Sequence, residues 1–266
     1  MSLVCKGVVM SWIDLDGAVN VRDLGGLPTE DGRETAGGRL LRSDNLQELS
    51  ASDVARLVGD IGVTTVVDLR SSAELTSEGP APLDAVPAVR HAHHPVIPEI
   101  GEATDAAAEA LLIRTKHDRS RFPGDPTCGH YLGYLEDRPD QVVDALRSIA
   151  QARGAALVNC AAGKDRTGVV VAMALTVVGV RREAVIADYA ASAERMEAIL
   201  ARLRSSRTYA SDVDSVPAAE QAPRPQTMAA FLGQLDVRHG GAQGWLAERG
   251  FGPSDVSSLR AKLIAA

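Results

Sequence analysis

The residues best suited to chemistry lie in one short stretch, residues 160–168, which reads Cys-Ala-Ala-Gly-Lys-Asp-Arg-Thr-Gly. A short apolar run at 155–159 precedes it, and an apolar helical pattern from about 167 to 178 follows it. A strand, a glycine-containing loop and a helix N-terminus together form a site that favours anion binding. The amides at the start of the helix lack partners, and the positive end of the helix dipole lies there. The predicted phosphate-binding residues are Ala161, Ala162, Gly163, Lys164, Arg166 and Thr167.

Cys160 stands at the head of this loop, where a positive environment favours the thiolate, the nucleophilic form of cysteine. Arg166 lies six positions later, so that a curled loop returns its guanidinium opposite the sulfur. Its planar fork can hold two phosphoryl oxygens at once, which a lysine cannot do. The Thr167 hydroxyl can hydrogen-bond the thiolate or help it to leave, and Gly163 and Gly168 allow the tight turn. This order of residues predicts nucleophilic attack on phosphorus.

Two other interpretations of the loop compete with this one. A lone cysteine after a strand is usually a small buried hydrophobe, but here four further residues stand where an anion loop requires them. An ATP-type P-loop needs a glycine where Val158 stands and a serine or threonine where Asp165 stands. The sequence therefore fails that pattern at both positions.

The leaving group of a phosphoester needs a proton, and two aspartates are candidates to supply it. Asp165 lies in the loop itself and is the first choice, although it can equally be an acceptor that ties the loop together. Asp68 is the second choice, because it ends a strand at the sheet edge where α/β active sites gather, although it can also be a turn or cap residue. The predicted catalytic set is Cys160, Arg166, Asp165 and Asp68.

Short apolar runs alternate with helical patterns along most of the chain, which predicts an α/β fold with a central, mostly parallel sheet flanked by helices. The tail of the chain is predicted to be helical. The predicted strands cover 39–42, 63–69, 89–96 and 155–159, and the predicted helices include 182–204, 227–238, 242–249 and 253–264.

Two segments differ from the rest in composition. Residues 99–127 join an Ala/Glu-rich helical stretch to a charged stretch with Pro123, Gly124 and Pro126, and we predict that they form a lid over the Cys160 pocket. A surface insertion without a catalytic role is the open alternative. Residues 205–225 are rich in Ser, Ala and Pro and predict a mobile connector. Both segments are assigned to a single domain that covers residues 1–266.

Composition excludes several classes of function. A net charge of −7 argues against nucleic-acid binding, which depends on Lys and Arg. Three cysteines without metal-ligand spacing argue against a disulfide framework and against a metal site, and no cofactor is expected. His91, His93 and His94 form a small group that is better explained as solvated or core histidines. No apolar run is long enough for a membrane span, so a cytoplasmic protein is expected. Export by a route that needs no signal peptide stays open.

The loop resembles the Cys-x5-Arg signature of protein tyrosine phosphatases, and Lys164-Asp165 inside it resembles the bacterial tyrosine/serine phosphatase family. The resemblance extends over nearly the whole chain. It includes Asn-Val-Arg-Asp-Leu-Gly-Gly at 20–26, Leu-Arg-Ser at 41–43, Val-Asp-Leu-Arg-Ser at 67–71, Tyr-Leu-Gly-Tyr-Leu-Glu at 131–136 and Gly-Trp-Leu at 244–246.

The resemblance implies a phosphatase-like fold and a two-step reaction, in which Cys160 forms a thiophosphate and water then releases inorganic phosphate. It implies a phosphorylated protein as substrate, with phosphotyrosine first and phosphoserine or phosphothreonine as an open addition. Asn159 departs from the family, because many members carry histidine there. That histidine tunes the thiolate, so the nucleophile here is expected to behave differently, although an amide can still orient the loop.

Two other functions stay open. Lys164 adds a positive charge to the loop, which in the wider superfamily accompanies phosphoinositide hydrolysis, although an ordinary solvated lysine fits equally well. The second alternative is a phosphate-binding module without catalysis. Retention of Cys160, Arg166 and Thr167 argues against that module, because binding alone does not need a thiol.

Overall fold

The computed structural model of the chain describes residues 10–98, 121–214 and 217–265, and six strands in these ranges form one sheet. The strands are β1 Ser11–Trp12, β2 Arg22–Asp23, β3 Leu40–Ser43, β4 Val63–Asp68, β5 Arg90–His93 and β6 Ala155–Asn159. Their order across the sheet is β1-β2-β3-β6-β4-β5. The pairs from β3 to β5 are parallel, and β2 and β1 extend the sheet in antiparallel fashion. The prediction of a mostly parallel sheet is therefore confirmed.

Helices cover both faces of this sheet. The α-helices of the described residues are α1 Ala51–Ala55, α2 Ser72–Glu78, α3 Pro126–Asp137, α4 Pro139–Gln151, α5 Asp165–Val177, α6 Arg182–Ala191, α7 Met196–Ser205, α8 Ala210–Val213, α9 Ala218–Gln221, α10 Pro225–His239, α11 Ala242–Ala247 and α12 Pro253–Leu263. A π-helical turn, Arg56–Asp60, continues α1, and a 3-10 turn, Pro82–Ala85, precedes β5. None of the helices in the described ranges is long and apolar enough to cross a membrane.

The central strand β6 is buried along its whole length because side chains on both of its faces are covered. Ala156 and Val158 face the larger core, which is built with the helices from α3 to α6 and from α10 to α12. Ala155 and Leu157 face a smaller core, which includes Leu57 and Leu83. A strand buried on both faces has an unbroken apolar sequence, as parallel strands in layered folds do. This burial fixes the position of the residue that follows β6.

The predicted helix over 182–204 is interrupted in the structure. A 3-10 turn, Ser192–Arg195, separates α6 from α7. At this turn the Ser192 hydroxyl is buried, and it accepts hydrogen bonds of 3.2 Å from Arg22 Nη2 and from Asn20 Nδ2. Helical periodicity cannot reveal the interruption, because its cause is a polar contact with a distant part of the chain.

Residues 99–120 of the predicted lid lie outside the described residues, so the lid stays a prediction. Of the predicted connector, the described residues form the short helices α8 and α9, and the carboxyl end of α7 also falls within it. Its mobility also stays a prediction. The helix α3, which the sequence patterns did not reveal, begins at Pro126 with Asp125 as its N-cap.

We expect Leu157→Ala to lower the free energy of unfolding by about 2–5 kcal/mol, because it removes a fully buried side chain from the middle of β6. Urea unfolding should show a lower midpoint with an unchanged slope. Val237→Ala is the control, because Val237 is 83% exposed, and its effect should stay within about 0.5 kcal/mol. Equal effects of the two substitutions would contradict the central position of β6.

Candidate active site

The Cys160 side chain lies directly after β6 and is 2% exposed. The loop after it leads into α5, which begins at Asp165, so that Asp165 and Arg166 belong to the first helical turn. The helix starts two residues earlier than the sequence pattern indicates. The first amides of a helix have no carbonyl partner within it, and they remain available to an anion in front of the helix. The predicted strand, loop and helix are therefore present at Cys160.

The carbonyl groups of the loop are turned outward and bound by other parts of the chain. Ala161 O accepts a hydrogen bond of 3.0 Å from the backbone N–H of Asn45, and Ala162 O accepts one of 2.9 Å from the Asn20 side chain. The N–H and C=O groups of a planar trans peptide point in opposite directions. Carbonyls held on the outside therefore leave the corresponding amides facing the inside of the loop, where a phosphate would sit.

Arg42 holds the next two carbonyls. Its Nη2 donates to Gly163 O at 2.7 Å and to Lys164 O at 3.3 Å. The turn requires glycine at 163, because φ is +64° there and a Cβ atom would lie 2.4 Å from Ser43 O. The loop is thus pressed against the end of β3 with no room for a side chain at its tightest point.

Behind the loop lies a buried group of three charges, Arg22, Arg42 and Asp188. Asp188 accepts from Arg22 Nε at 2.7 Å and from Arg42 Nη1 at 2.6 Å, and all three side chains are at most 1% exposed. Burial and the neighbouring Arg42 lower the pKa of Arg22 to about 10, so that it stays charged at neutral pH. Burial alone would raise the pKa of Asp188, but the two arginines outweigh it and lower the pKa. The group carries one excess positive charge behind an anion site.

Arg166 forms a bidentate ion pair with Glu74 of α2. Its Nη1 donates to Glu74 Oε2 at 2.6 Å, and its Nη2 donates to Glu74 Oε1 at 2.8 Å. Burial alone would raise the pKa of Glu74, but Arg166, the backbone N–H of Ser71 and the Tyr209 hydroxyl hold it at about 2. The same pair raises the pKa of Arg166 well above its ordinary value, against the effect of burial.

The geometry of this ion pair leaves part of Arg166 available. A guanidinium carries five N–H groups, and Glu74 takes one from each terminal nitrogen. The remaining ones, Nε–H and the second N–H of each terminal nitrogen, have no other acceptor among the described residues. Glu74 therefore fixes the plane of Arg166 and leaves an edge that fits two phosphoryl oxygens.

Asp165 lies at the start of α5 and is held by two groups. Its Oδ1 accepts a hydrogen bond of 2.5 Å from the Tyr131 hydroxyl, and its Oδ2 lies 3.4 Å from Lys164 Nζ. Burial favours the neutral acid, but Lys164 and the bond from Tyr131 outweigh it, so that the pKa of Asp165 is lowered. The side chain is 32% exposed, which leaves it accessible to a substrate in the loop.

Asp68, the second candidate acid, is paired with Arg70. Its Oδ1 accepts from Arg70 Nε at 2.9 Å and from the backbone N–H of Arg70 at 3.0 Å, and its Oδ2 accepts from Arg70 Nη2 at 2.5 Å. Arg70 is 1% exposed and also donates to Gln47 Oε1. Both oxygens of Asp68 are therefore bound to a buried cation.

The segment 205–225 contacts the site on two sides. The Tyr209 hydroxyl donates to Glu74 Oε1 at 2.9 Å, and Lys164 Nζ donates to the backbone oxygen of Gln221. Ser206 Oγ also donates to Glu78 of α2 at 2.6 Å. The sequence did not indicate that this segment reaches the catalytic loop.

Thr167 and Asn159 are fully buried beside the loop. Neither the Thr167 hydroxyl nor the two polar atoms of the Asn159 side chain has a hydrogen-bond partner among the described residues. The backbone oxygen of Asn159 accepts from Leu69 N at 3.0 Å. The Asn159 side chain therefore makes no hydrogen bond to the described part of the loop, whose carbonyls are held by Asn45, Asn20 and Arg42.

Other candidate groups have ordinary structural contacts. Burial, reinforced by the carboxylate of Asp125, raises the pKa of Cys128 to about 12, so this thiol stays protonated. His91, His93 and His94 hydrogen-bond to Leu83 O, Arg70 O and Ser148 Oγ respectively. Within the described ranges, no three His, Cys, Asp or Glu side chains are placed to hold a metal ion.

The sequence patterns do not identify Glu74, Arg42 and Asn20 as parts of the site. Glu74 lies 92 residues from Arg166, and Arg42 lies 121 residues from Gly163. The family motifs at 20–26, 41–43 and 67–71 hold or adjoin these residues, but a motif does not say which atom its residues contact. A Ser-x-x-Glu capping box at 71–74 was a readable signal for the start of α2, although it does not point to Arg166.

Comparisons with known proteins show the family to which the chain is related. The model of the tyrosine phosphatase family matches residues 13–265. The triple specificity protein phosphatase PtpB of Mycobacterium tuberculosis is 27% identical over 94% of this chain and 98% of its own length. A candidate tyrosine-protein phosphatase of Cupriavidus necator is 32% identical over 66% of this chain and 61% of its own length. A tyrosine-protein phosphatase of Nostoc commune is 31% identical over 50% of this chain and 46% of its own length.

The chain belongs to the tyrosine phosphatase family, whose model matches it from residue 13 to residue 265. It is therefore a phosphoric monoester hydrolase with protein tyrosine phosphatase activity. The resemblance to bacterial tyrosine phosphatases seen in the sequence is confirmed, and so is the predicted class of fold.

We expect Glu74→Gln to lower kcat/KM for p-nitrophenyl phosphate by roughly 10- to 100-fold, because charge-assisted hydrogen bonds to Arg166 contribute about 1.5–3 kcal/mol. An amide cannot accept both N–H groups with its two ends. Glu78→Gln is the matched control, because Glu78 lies on the same helix and bonds Ser206 rather than Arg166. Unchanged kcat/KM in Glu74→Gln would show that Arg166 does not depend on this ion pair.

Glu74 also predicts a dependence of stability on pH. Its pKa is lowered from 4.5 to about 2 on folding, so its stabilisation is present above pH 4.5 and is lost as the pH falls from 4.5 toward 2. The difference in free energy of unfolding between the wild type and Glu74→Gln should be constant above this window and shrink within it. Urea unfolding at stepped pH measures the difference, and a constant difference down to the acid end would refute the assignment.

Proposed function

We propose that the chain hydrolyses phosphoesters through a cysteinyl-phosphate intermediate. The Cys160 thiolate attacks phosphorus, the bond from phosphorus to the ester oxygen breaks, and Asp165 gives its proton to that oxygen. Water then attacks the phosphorus and gives a proton back to Asp165, while the sulfur–phosphorus bond breaks and inorganic phosphate leaves. The observation that carries this proposal is the loop itself, with its carbonyls bound outward around Cys160 and Arg166 fixed by Glu74.

Positioning and charge supply most of the catalysis in this proposal. The inward amides of the loop and the free edge of Arg166 bind the equatorial oxygens in both the ground state and the transition state. The excess charge of the buried arginines adds positive potential behind them. The Thr167 hydroxyl is assigned to the leaving thiolate in the second step, and its lack of another partner among the described residues supports this role.

Asp165, rather than Asp68, is the proposed general acid. Asp68 is bound by three N–H groups of Arg70, so protonating it would break a buried ion pair. Asp165 has one neutral donor and a lysine at 3.4 Å, and it lies on the loop that binds the phosphate. Asp68 is proposed to act as the anchor of Arg70.

The proposed substrates are phosphorylated proteins, with phosphotyrosine first and phosphoserine or phosphothreonine in addition. The name of the mycobacterial relative, a triple specificity phosphatase, supports the broader range. A phosphoinositide is the second candidate because Lys164 adds a cation to the loop, although its Nζ already donates to Gln221 O. Turnover of phosphotyrosine peptides, phosphoserine peptides and phosphoinositide vesicles, compared at equal concentration, separates these classes.

The whole chain is proposed to form one catalytic domain, with residues 99–127 as a lid, and to act in the cytoplasm. The buried thiols of Cys128 and Cys160 and the absence of metal-type cysteine spacing in the sequence support a reducing compartment. Hydrogen exchange with and without vanadate tests the lid. Equal protection of residues 99–127 in both states, while the Cys160 loop responds, would refute it.

We expect Cys160→Ser to abolish hydrolysis of p-nitrophenyl phosphate while vanadate or phosphate still binds, because a serine hydroxyl without an adjacent base is a weak nucleophile. Acid quenching during turnover should trap phosphate on the wild-type protein but not on this variant. Cys128→Ala is the matched control and should keep both turnover and the trapped phosphate. Turnover by Cys160→Ser would contradict the covalent step, and a wild type that binds phosphate without turnover would indicate a binding module.

A further inference from the structure

Three side chains from three helices form a continuous chain of hydrogen bonds that ends on the candidate acid. The hydroxyls of Tyr189 on α6 and Tyr131 on α3 are 2.7 Å apart, and the Tyr131 hydroxyl lies 2.5 Å from Asp165 Oδ1. Tyr131 is fully buried and Tyr189 is 1% exposed. The ring of Phe231 packs edge-on against Tyr131 and closes the apolar side of the group.

The direction of each hydrogen bond follows from the chemistry of the groups. An ionised carboxylate only accepts, so the Tyr131 hydroxyl must donate its single proton to Asp165 Oδ1. The Tyr131 oxygen then accepts, and Tyr189 must donate to it. Burial raises the pKa of both tyrosines, with Asp165 raising them further, so both hydroxyls keep their protons. Oδ1 is therefore occupied, and a proton taken up by Asp165 resides on Oδ2.

The charged and titratable groups that face Asp165 come from the loop, from α3 and from α6. Lys164 lies in the loop, His130 and Tyr131 lie on α3, and Tyr189 lies on α6. Lys164 and Tyr131 stabilise the carboxylate more than burial destabilises it. The stabilisation of the Asp165 carboxylate depends on one lysine at 3.4 Å and one short hydrogen bond from a neutral hydroxyl. Removing the hydroxyl should therefore raise the pKa of Asp165 measurably.

We propose that Tyr131 is a positioning residue for proton transfer by Asp165: its hydroxyl holds Oδ1, so that the transferable proton sits on Oδ2. Tyr189 holds the Tyr131 hydroxyl in that orientation. This inference rests on the proposed role of Asp165 as general acid. It implies that the enzyme depends on Tyr131 most when the leaving group is a poor one, because only then does the ester oxygen need a proton during bond breaking.

A purely structural role for Tyr131 would have different consequences. A buried hydroxyl that only satisfies the core would, when removed, change the stability and lower all rates by the same factor. A positioning role changes the ratio of rates between good and poor leaving groups, and it also changes the pH dependence. The two roles therefore separate in kinetics even if both variants are less stable.

The experiment compares kcat/KM for p-nitrophenyl phosphate and phenyl phosphate across pH in the full chain. Tyr131→Phe removes the hydroxyl that bonds Asp165 Oδ1. Tyr134→Phe is the matched control, because Tyr134 lies on the same helix and its hydroxyl bonds His130 instead. Asp165→Asn gives the ratio of kcat/KM values and the pH profile of a protein without the general acid. Cys160→Ser should abolish turnover and so show that it comes from this site.

We expect Tyr131→Phe to lower kcat/KM for phenyl phosphate at least about tenfold more than for p-nitrophenyl phosphate, a fraction of the full contribution of a general acid. The alkaline limb of its profile of kcat/KM against pH should move to higher pH. The Asp165 carboxylate has lost a donor, so its pKa rises and the acid stays protonated to higher pH. Tyr134→Phe should keep the wild-type ratio, and any shift of its alkaline limb through His130 should be smaller than the shift in Tyr131→Phe. If Tyr131→Phe does not fold, Tyr189→Phe should show the same changes in the rate ratio and in the alkaline limb. They should be smaller, because Tyr189 acts on Asp165 only through Tyr131.

Two results would overturn the inference in distinguishable ways. A Tyr131→Phe variant with the wild-type rate ratio and alkaline limb would leave Asp165 as acid but remove Tyr131 from proton transfer. An Asp165→Asn variant with the wild-type rate ratio, in a protein whose turnover still needs Cys160, would refute the acid itself, and the positioning role would fall with it.

Discussion

A loop that binds a phosphate with its backbone must turn its carbonyls away from the ligand, and each of those carbonyls then needs a donor outside the loop. Three donors meet this requirement here: the amide of Asn45, the side chain of Asn20 and the guanidinium of Arg42. Asn45 follows β3, Asn20 precedes β2, and Arg42 lies within β3. The strands β2 and β3, which lie on one side of β6, therefore hold the loop in place through the donors that they and their flanking residues supply.

This arrangement also explains how an acidic chain builds an anion site. The chain carries a net charge of −7, and most of the cations near the loop are paired: Arg166 with Glu74, and Lys164 with Asp165. The exception is the buried group in which two arginines share Asp188. Its excess charge is shielded from solvent, and a charge in the interior acts over a longer range than one on the surface. Together with the start of α5, it contributes positive potential behind the loop.

The parts of the site that could be predicted from the sequence are those within seven consecutive residues. Cys160 and Arg166 are ends of one loop, so their spacing alone predicts that they face each other. Glu74 could not be found in this way, because its contact joins residues that are 92 positions apart in the chain, and the same Ser-x-x-Glu pattern begins many helices. The interruption after α6 has the same origin, since Ser192 bonds residues near the start of the chain. Local sequence patterns predicted the strands and helices of the fold. They could not predict which distant side chains contact each other, such as Glu74 and Arg166.

Glu74, Asp68 and Asp165 differ in the number and charge of the donors that bind them. Glu74 accepts two bonds from Arg166, one from the Ser71 amide and one from Tyr209, and its pKa falls to about 2. Asp68 is bound by three N–H groups of Arg70.

Asp165 accepts one bond from a neutral hydroxyl and faces Lys164 at a longer distance. A residue that fixes an arginine must never take up a proton during turnover, whereas a general acid must gain and lose one in each cycle. The number and charge of the donors support the proposed division of roles. Protonating Glu74 or Asp68 would break a bidentate ion pair, whereas protonating Asp165 on Oδ2 would weaken the longer contact with Lys164 and leave the bond from Tyr131 intact.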